Sequence, residues 1–419
     1  MGEWKKTSLG ELLEPKGYIR GPFGSSLLRG EMKTNGIPVY EQKNAIYNSR
    51  EFRFFIDEEK FEQLKRFQVR TNDLIISCSG TFGKISVIKE EDPKGIISQA
   101  LLILRPDVKK VFLDYLYYFL SSKMGLELIS QVSHGSVQIN IAERKVVESI
   151  PLLLPTLPEQ QSITSILSSL DDKIDFLHRQ NKTLEALAET LFRQWFIEER
   201  PQPSHNPSQR EGNIKADESW EEKTLGEILT ITSSKRIYYS EYVSFGVPFY
   251  RSKEIIELHN AGSTDSELFI SEERFNEIQE KFGAPREGDI LMTSVGTLGV
   301  TYRVRKDDKF YFKDGNLTWF KDFKLLPSSI IYLWLNSIIG KEQLASITIG
   351  STQEALTIVG LKSISFKVPP RDKLEIYKNE FESILNKIEF NQNQIRTLTQ
   401  LRDTLLPKLM SGEIRVKNV

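Results

Sequence analysis

A single cysteine, Cys78, stands in a chain of 419 residues, so no internal disulfide can form. Histidine is almost as scarce. His134, His178, His205 and His259 are scattered, and with one cysteine they cannot make the clustered spacings of a zinc site. No stretch approaches the roughly 18 uninterrupted apolar residues that a membrane helix needs, and the amino-terminal MGEWKKTSLGELL lacks an apolar signal core. These absences imply a reducing, cytoplasmic setting with no membrane span and no protein-bound metal. Charge excess is missing too: 56 basic residues face 57 acidic ones, for a formal charge of −1. A protein that grips duplex DNA alone commonly carries a basic excess to replace phosphate counterions, so any such contact must come from local patches or partner subunits.

Catalytic signatures are missing as well. SCSGTFGKIS invites a phosphate-loop reading, but Cys78 stands where the loop needs its first glycine and Lys84 is followed by Ile85. No G-x-S-x-G elbow is present. Asp171 and Asp172 are adjacent, diverge by about 100° on a helix and belong on a solvated face. His134 has no counterpart in the internal repeat described below, where Ile349 takes its place. No paired acid and base recurs in both halves, and no catalytic residue is assigned.

What is present is a repeat. WKKTSLGELL from Trp4 returns as WEEKTLGEIL from Trp220, and GIPVY from Gly36 returns as GVPFY from Gly246. NDLIISCSGTFG from Asn72 answers GDILMTSVGTLG from Gly288, GSVQINI from Gly135 answers GSTQEAL from Gly350, and IPLLLP from Ile150 answers ISFKVP from Ile364. Each copy reads as mixed α/β: Asp73 or Asp289 closes a turn, an apolar run follows as a buried strand, and a Gly-Thr-x-Gly turn leaves it. Between the landmarks the copies diverge. Trp4 to Gly36 spans 32 positions against 26 in the second copy, and Gly36 to Asp73 spans 37 against 43. A shared frame thus carries different loops.

Each copy ends in a long helical pattern. After Thr156, which with Glu159 forms a capping box around Pro158, the residues Ile163, Leu167, Leu170, Ile174, Leu177, Asn181, Leu184, Ala188, Leu191 and Trp195 step by four and three. Phe381, Ile384, Ile388, Asn391, Ile395, Leu398, Arg402, Leu405 and Leu409 repeat the pattern 214 residues later. Such seams need partners. Pairing the two helices as an antiparallel coiled coil, with Asn181 and Asn391 fixing register, relates the halves by a pseudo-twofold; the alternative packs each amphipathic helix on its own domain. Polar, proline-bearing residues 200–218 read as a linker. The scheme is a globular unit over 1–156, a spacer helix over 157–199, the linker, a second globular unit over 219–370, and a second helix with a tail over 371–419.

RGPFGSSL near Arg20, GIPVY, the Gly-Thr-x-Gly turns, GSVQ and GSTQ, LPEQQSI and the ending TLLPKLMSGEI from Thr404 together resemble the specificity subunit of type I restriction-modification systems. The second half departs by having PPRDKLE in place of LPEQ and no GPFGSS counterpart between Ser233 and Glu241. The resemblance implies a non-catalytic subunit with two target-recognition domains on two spacer helices. It implies double-stranded DNA, two methyltransferase subunits and restriction/translocase subunits as partners. S-adenosylmethionine, ATP and magnesium would then be bound by those partners, consistent with the absence of a D/N-P-P-F/Y methyl-transfer motif here.

The candidate DNA contacts are Lys16, Tyr18, Arg20, Arg29, Lys33 and Lys43 in the first half, interleaved with Gly21, Gly24 and Gly30. In the second half they are Lys235, Arg236, Tyr238, Tyr239, Arg251 and Lys253. Glycines let backbone amides approach phosphate, and arginine can hold guanine through two hydrogen bonds. The seam from Ile163 to Trp195 covers 33 residues, about 50 Å of helix. With DNA advancing about 34 Å per turn, the expected target is split and asymmetric, its half-sites centred roughly 10 to 15 base pairs apart. The competing expectation is an adaptor whose two heads bind protein ligands, which near-neutral charge accommodates.

Overall fold

The computed structural model describes residues 4–23, 27–78, 81–131, 144–198, 220–262, 264–350 and 354–416. His134, the GSVQ segment, Gly24, Gly80 and the linker lie outside the described residues. Among those described, no helix is long and apolar enough to cross a membrane.

The repeat is visible as the same sheet wiring built twice. In the first half, Leu13–Arg20, Leu101–Pro106, Leu74–Ser77 and Ile85–Val87 are neighbours in that order, all antiparallel. In the second, Thr230–Thr232, Leu317–Lys321, Ile290–Thr293 and Thr301–Arg303 repeat the order and sense. The apolar runs predicted as buried strands are these central ones: every residue of Leu74–Ser77 and of Ile290–Thr293 is buried. A smaller sheet pairs Ile37–Tyr40 with Phe55–Ile56 and, in parallel, with Ile96–Ile97. Val247–Tyr250 pairs likewise with Phe269–Ile270 and Tyr311–Phe312. A ribbon then ties each copy's start to its end, Lys5–Ser8 with Pro151–Leu154 and Glu221–Thr224 with Ser365–Val368.

The turns repeat with the strands. Asp73 accepts the amide of Arg70 and Asp289 that of Arg286, so both aspartates close turns as expected. The preceding residue has positive φ in each copy, Asn72 at 70° and Gly288 at 85°. Asparagine and glycine are the residues that adopt this left-handed conformation at least cost, which accounts for that exchange between copies. At the Gly-Thr-x-Gly turns, Gly83 and Gly299 share φ of 75°, and their amides bond to the carbonyls of Ser77 and Thr293.

The loop differences also have a physical form. The Gly36-to-Asp73 stretch carries helices Gln42–Ile46 and Glu58–Gln63, whereas the second copy lengthens them to Ser252–Ala261 and Glu272–Phe282. Conversely, Leu13–Arg20 is an eight-residue strand with a bulge where the second copy has three-residue Thr230–Thr232.

The long helices run Leu157–Arg193, continuing through one wider π-type turn at Gln194–Glu198, and Arg371–Ser411. The chain divides into two compact units, 1–173 with 398–419 and 174–397, so each unit takes part of both helices. Within the first unit, Ile163 and Leu167 are buried in one apolar cluster with Leu409 and Met410, with Leu405 against it. Within the second, Ala188 packs with Ile384, Leu385 and Ile388, flanked by Leu184 and Leu191. There Asn391 Nδ2 donates to Asn181 Oδ1 at 2.8 Å and to Gln180 Oε1 at 2.8 Å. Ile174, Leu177, Asn181 and Ile395 are buried; Leu170, Leu184, Leu191, Leu398, Arg402 and Leu405 are half-buried. Every seam position predicted from the periodicity is therefore withdrawn from solvent, while the flanking Asp172, Lys173, Asp175 and Phe176 are exposed.

Two local expectations need correction. Asp171 does not lie on a solvated face: it is half-buried, taking the Tyr118 hydroxyl on Oδ2 at 2.7 Å and Arg402 Nη1 on Oδ1 at 2.9 Å. Glu159 is not spent on a capping box with Thr156. Its buried carboxylate binds Arg415 through Nε at 2.6 Å and Nη2 at 2.9 Å, and accepts Trp4 Nε1 at 3.2 Å. Next to it, buried Gln160 accepts the Phe112 amide at 2.7 Å and donates to the Pro155 carbonyl at 2.9 Å. The polar pair inside LPEQQ thus joins the helix start to the first head and the carboxyl-terminal segment. Long-range partners 155 and 256 positions away outweighed the local cap.

Candidate nucleic-acid interface

In the first head, the basic candidates follow one strand and the turns after it. Lys16 sits in the bulge of Leu13–Arg20, exposed and at φ of 64°. A lysine held left-handed costs backbone energy that an ordinary surface position would not require. Tyr18 is half-buried on the same strand, and burial pushes its hydroxyl up to about 12. Arg20 ends the strand with its guanidinium 5.7 Å from the centroid of exposed Phe23, and its Nη1 is buried without a hydrogen-bond partner among the described residues. Beside it, burial raises the Cys78 thiol to about 12 against the pull of Arg20, so Cys78 is a protonated core residue. A side chain at Gly21 would collide with the Ser98 carbonyl, which explains why glycine follows Arg20.

Arg29 is exposed in the short turn Arg29–Glu31, and Lys43 is half-buried on Gln42–Ile46, next to exposed Tyr47. Lys33 differs, being paired with Asp57 at 2.7 Å. Both members of that pair are half-exposed, where such pairs contribute little, so Lys33 can exchange Asp57 for a phosphate at small cost.

The second head commits more of its charge internally. Arg251 grips the buried Glu254 carboxylate at 2.7 Å and reaches Glu267 at 3.2 Å, while Lys253 pairs with Glu267 at 2.9 Å. Glu254 in turn accepts the Arg251 amide, so its carboxylate caps the start of the helix Ser252–Ala261 and holds the arginine in the frame. Arg236 is exposed and paired with Asp314 at 2.8 Å, which holds its guanidinium above the usual arginine range. Lys235 lies 5.1 Å above the Phe282 ring, its amide bound to the Tyr311 hydroxyl at 2.7 Å.

Aromatic exposure is the stronger feature there. Tyr238 is exposed, and Tyr239 and Phe245 are each 87% accessible, with Tyr239 edge-on to Tyr242 at 5.8 Å. Exposed aromatics beside lysine and arginine suit base stacking and phosphate contact together. The sequence pattern singled out Tyr238 and Tyr239 but missed Phe245, Phe23 and Tyr47. For Phe245 the available signal was its place immediately before Gly246, the glycine common to GIPVY and GVPFY, whose φ is 154°.

Each head thus carries its own exposed basic and aromatic side chains on a matching frame with different loops, with Arg20 against Phe23 in the first and Lys235 against Phe282 in the second. Among the described residues no three His, Cys, Asp or Glu side chains gather as a metal site.

Known proteins resemble this chain in sequence and in fold. The family model of the type I restriction modification DNA specificity domain matches residues 1–186 and again 217–400. The MjaIX specificity subunit of Methanocaldococcus jannaschii is 28% identical over 329 residues, covering 73% of this chain and 70% of that protein. The MjaVIII specificity subunit of the same organism is 24% identical over 437 aligned positions, covering 100% and 94%. Among solved structures, the type I restriction-modification S subunit from M. genitalium superposes with a TM-score of 0.59 at 19% identity, covering 97% and 96% of the two chains. With its two matched domains spanning most of its length, the chain belongs to the type I restriction-modification DNA specificity family.

Proposed function

We propose that this chain is the non-catalytic, sequence-selecting subunit of a type I restriction-modification complex, reading a split DNA target with one word for each head. The observation that carries this reading is the duplication itself: the same four-stranded antiparallel order in both halves, different loops, and different sets of exposed basic and aromatic side chains. Two copies that served one ligand would have no reason to diverge only between the landmarks. Lys16, Tyr18, Arg20, Arg29, Lys33 and Lys43 in one head, and Lys235, Arg236, Tyr238 and Tyr239 in the other, are the proposed contacts. Arg251 and Lys253 support the second set through the frame.

The spacer is read as an antiparallel coiled coil whose length sets the gap. The pairs within the second unit support that sense, since Asn181 meets Asn391 while Trp195, farther along the first helix, stacks 4.4 Å from Tyr377, earlier on the second. Methylation of adenine would be performed by two methyltransferase subunits that bind S-adenosylmethionine, and translocation by restriction subunits using ATP and magnesium, all in the cytoplasm.

The test is to express the chain with its neighbouring methyltransferase and map the methylated adenines. The expected result is two fixed words separated by a constant gap, with binding that weakens steeply as salt rises. Modification without sequence preference, or salt-insensitive capture of a protein ligand, would replace this reading with the adaptor.

A further inference from the structure

The heads are fastened to their helices by polar joints that the repeat does not share. In the first unit, Tyr118 on the head helix Leu113–Ser121 donates to Asp171 on the first long helix, and the other oxygen of Asp171 takes Arg402 from the second long helix. One carboxylate thus connects three elements. In the second unit, Arg303 at the end of Thr301–Arg303 donates to both oxygens of Glu382, at 3.0 and 2.8 Å. Arg305 adds bonds to the Gly262 carbonyl at 2.9 Å and to Gln392 at 2.6 Å.

By the repeat offsets, Asp171 corresponds to Leu385, Arg402 to Ala188, Arg303 to Val87 and Glu382 to Ser168. The frame is common to both copies; the fastening is particular to each. Packing alone leaves slack at the second joint, where a cavity of about 580 Å³ opens among Glu185, Tyr302, Arg305, Tyr332 and Glu389. Apolar burial is non-directional and tolerates rotation, whereas charge-assisted hydrogen bonds fix an angle.

Small angles matter at this scale. A head of about 150 residues has a radius of gyration of about 15 Å. A point at that radius moves by one base step of about 3.4 Å for a rotation of about 13°, and the surface beyond it moves farther.

We propose that Tyr118, Asp171 and Arg402 in one head, and Arg303 with Glu382 and Arg305 with Gln392 in the other, are positioning residues that hold each head at one angle on its helices and so make the gap between the two words strict. The proposal rests on the split-target reading above. Its test uses the full chain assembled with methyltransferase and a set of targets carrying the native words at gaps one and two base pairs shorter or longer.

Asp171→Asn and Glu382→Gln keep side-chain volume at half-exposed sites, and melting curves verify their folding. Each is expected to raise modification at off-length gaps, relative to the native gap, by about tenfold, the factor equivalent to one such hydrogen bond. Both words should stay unchanged. Reversing the pair, Arg303→Glu with Glu382→Arg, should restore discrimination. Folded single variants that discriminate gaps as the wild type does, or that change a word instead of the gap, would overturn the proposal. A wild-type complex that modifies no pair of separated words would instead sink the reading beneath it, so the two failures are distinguishable.

Discussion

At Gly36 and Gly246 a β-carbon would stand 2.5 Å from the Ile56 carbonyl oxygen and 2.2 Å from that of Ile270, and their φ values are 122° and 154°. Geometry and sterics both demand glycine, which is why GIPVY and GVPFY keep it. Gly36→Ala should lower thermal stability by at least about 1 kcal/mol, whereas Gly30→Ala, with open space around its β-carbon, should leave the melting temperature unchanged. Asp289 offers a test in pH. Burial raises its carboxyl above the ordinary range, the bonds from Arg286 and Trp319 only partly opposing this, and among the described residues no cation bonds to it as Arg105 does to Asp73. Because the folded state holds this proton more tightly than the unfolded chain, the site costs nothing below the ordinary carboxylate pKa, about 4. The cost grows as pH rises from there to the raised folded value and is constant above it. Asp289→Asn removes that slope, so its melting temperature relative to wild type should climb with pH across this window. A difference independent of pH would contradict the assignment.

Helices were the most legible elements, because a seam is a local periodicity that one stretch of chain displays by itself. Ile163, Leu167, Ile174, Leu177, Ile388 and Ile395 are buried as their spacing predicts. What could not be read was which polar residues find each other at a distance. Asp171 has no local reason to leave solvent; Tyr118 and Arg402, 53 and 231 positions away, draw it in. Lys33, Arg236, Arg251 and Lys253 stand out in the sequence for charge, yet each meets an acid 14 to 78 positions distant or, for Arg251, also three away. Pairing of that kind leaves no periodic trace. The asparagines are a partial exception, since an amide in an apolar seam announces a partner amide. Asn391→Leu alone should destabilise the protein by about 1 to 3 kcal/mol, leaving the Asn181 amide buried without its partner. The double change Asn181→Leu with Asn391→Leu should recover that loss and more, while loosening register and oligomeric state. A double-mutant cycle on unfolding checks the sign of the coupling, and sedimentation checks the loss of uniqueness; additive single effects would mean the amides do not act as a pair.

For the molecule as a whole, sequence boundaries and compact units differ in an informative way. Taken in series, the first head and its helix occupy residues 1–199, yet the first unit also draws on 398–419. Its core includes Leu409 and Met410 beside Ile163 and Leu167, and Arg415 closes over Glu159 and Trp4. The second unit is closed differently: Trp195, Phe196, Trp220, Tyr377 and Phe381 make an aromatic joint there. A fragment ending near Glu198 therefore keeps the first head but loses the helix that covers its seam. On the proposed antiparallel pairing the first helix is the counterpart of the second, so a second copy of the fragment would supply the missing cover, with aromatic residues from its helix end in the place of the lost aliphatic ones. The expected outcome is a dimer by sedimentation at micromolar concentration and, with methyltransferase, modification of an inverted repeat of the first head's word. A soluble, folded monomer would mean that the seam is satisfied within one copy, and the pseudo-twofold equivalence of the helices would fall with it.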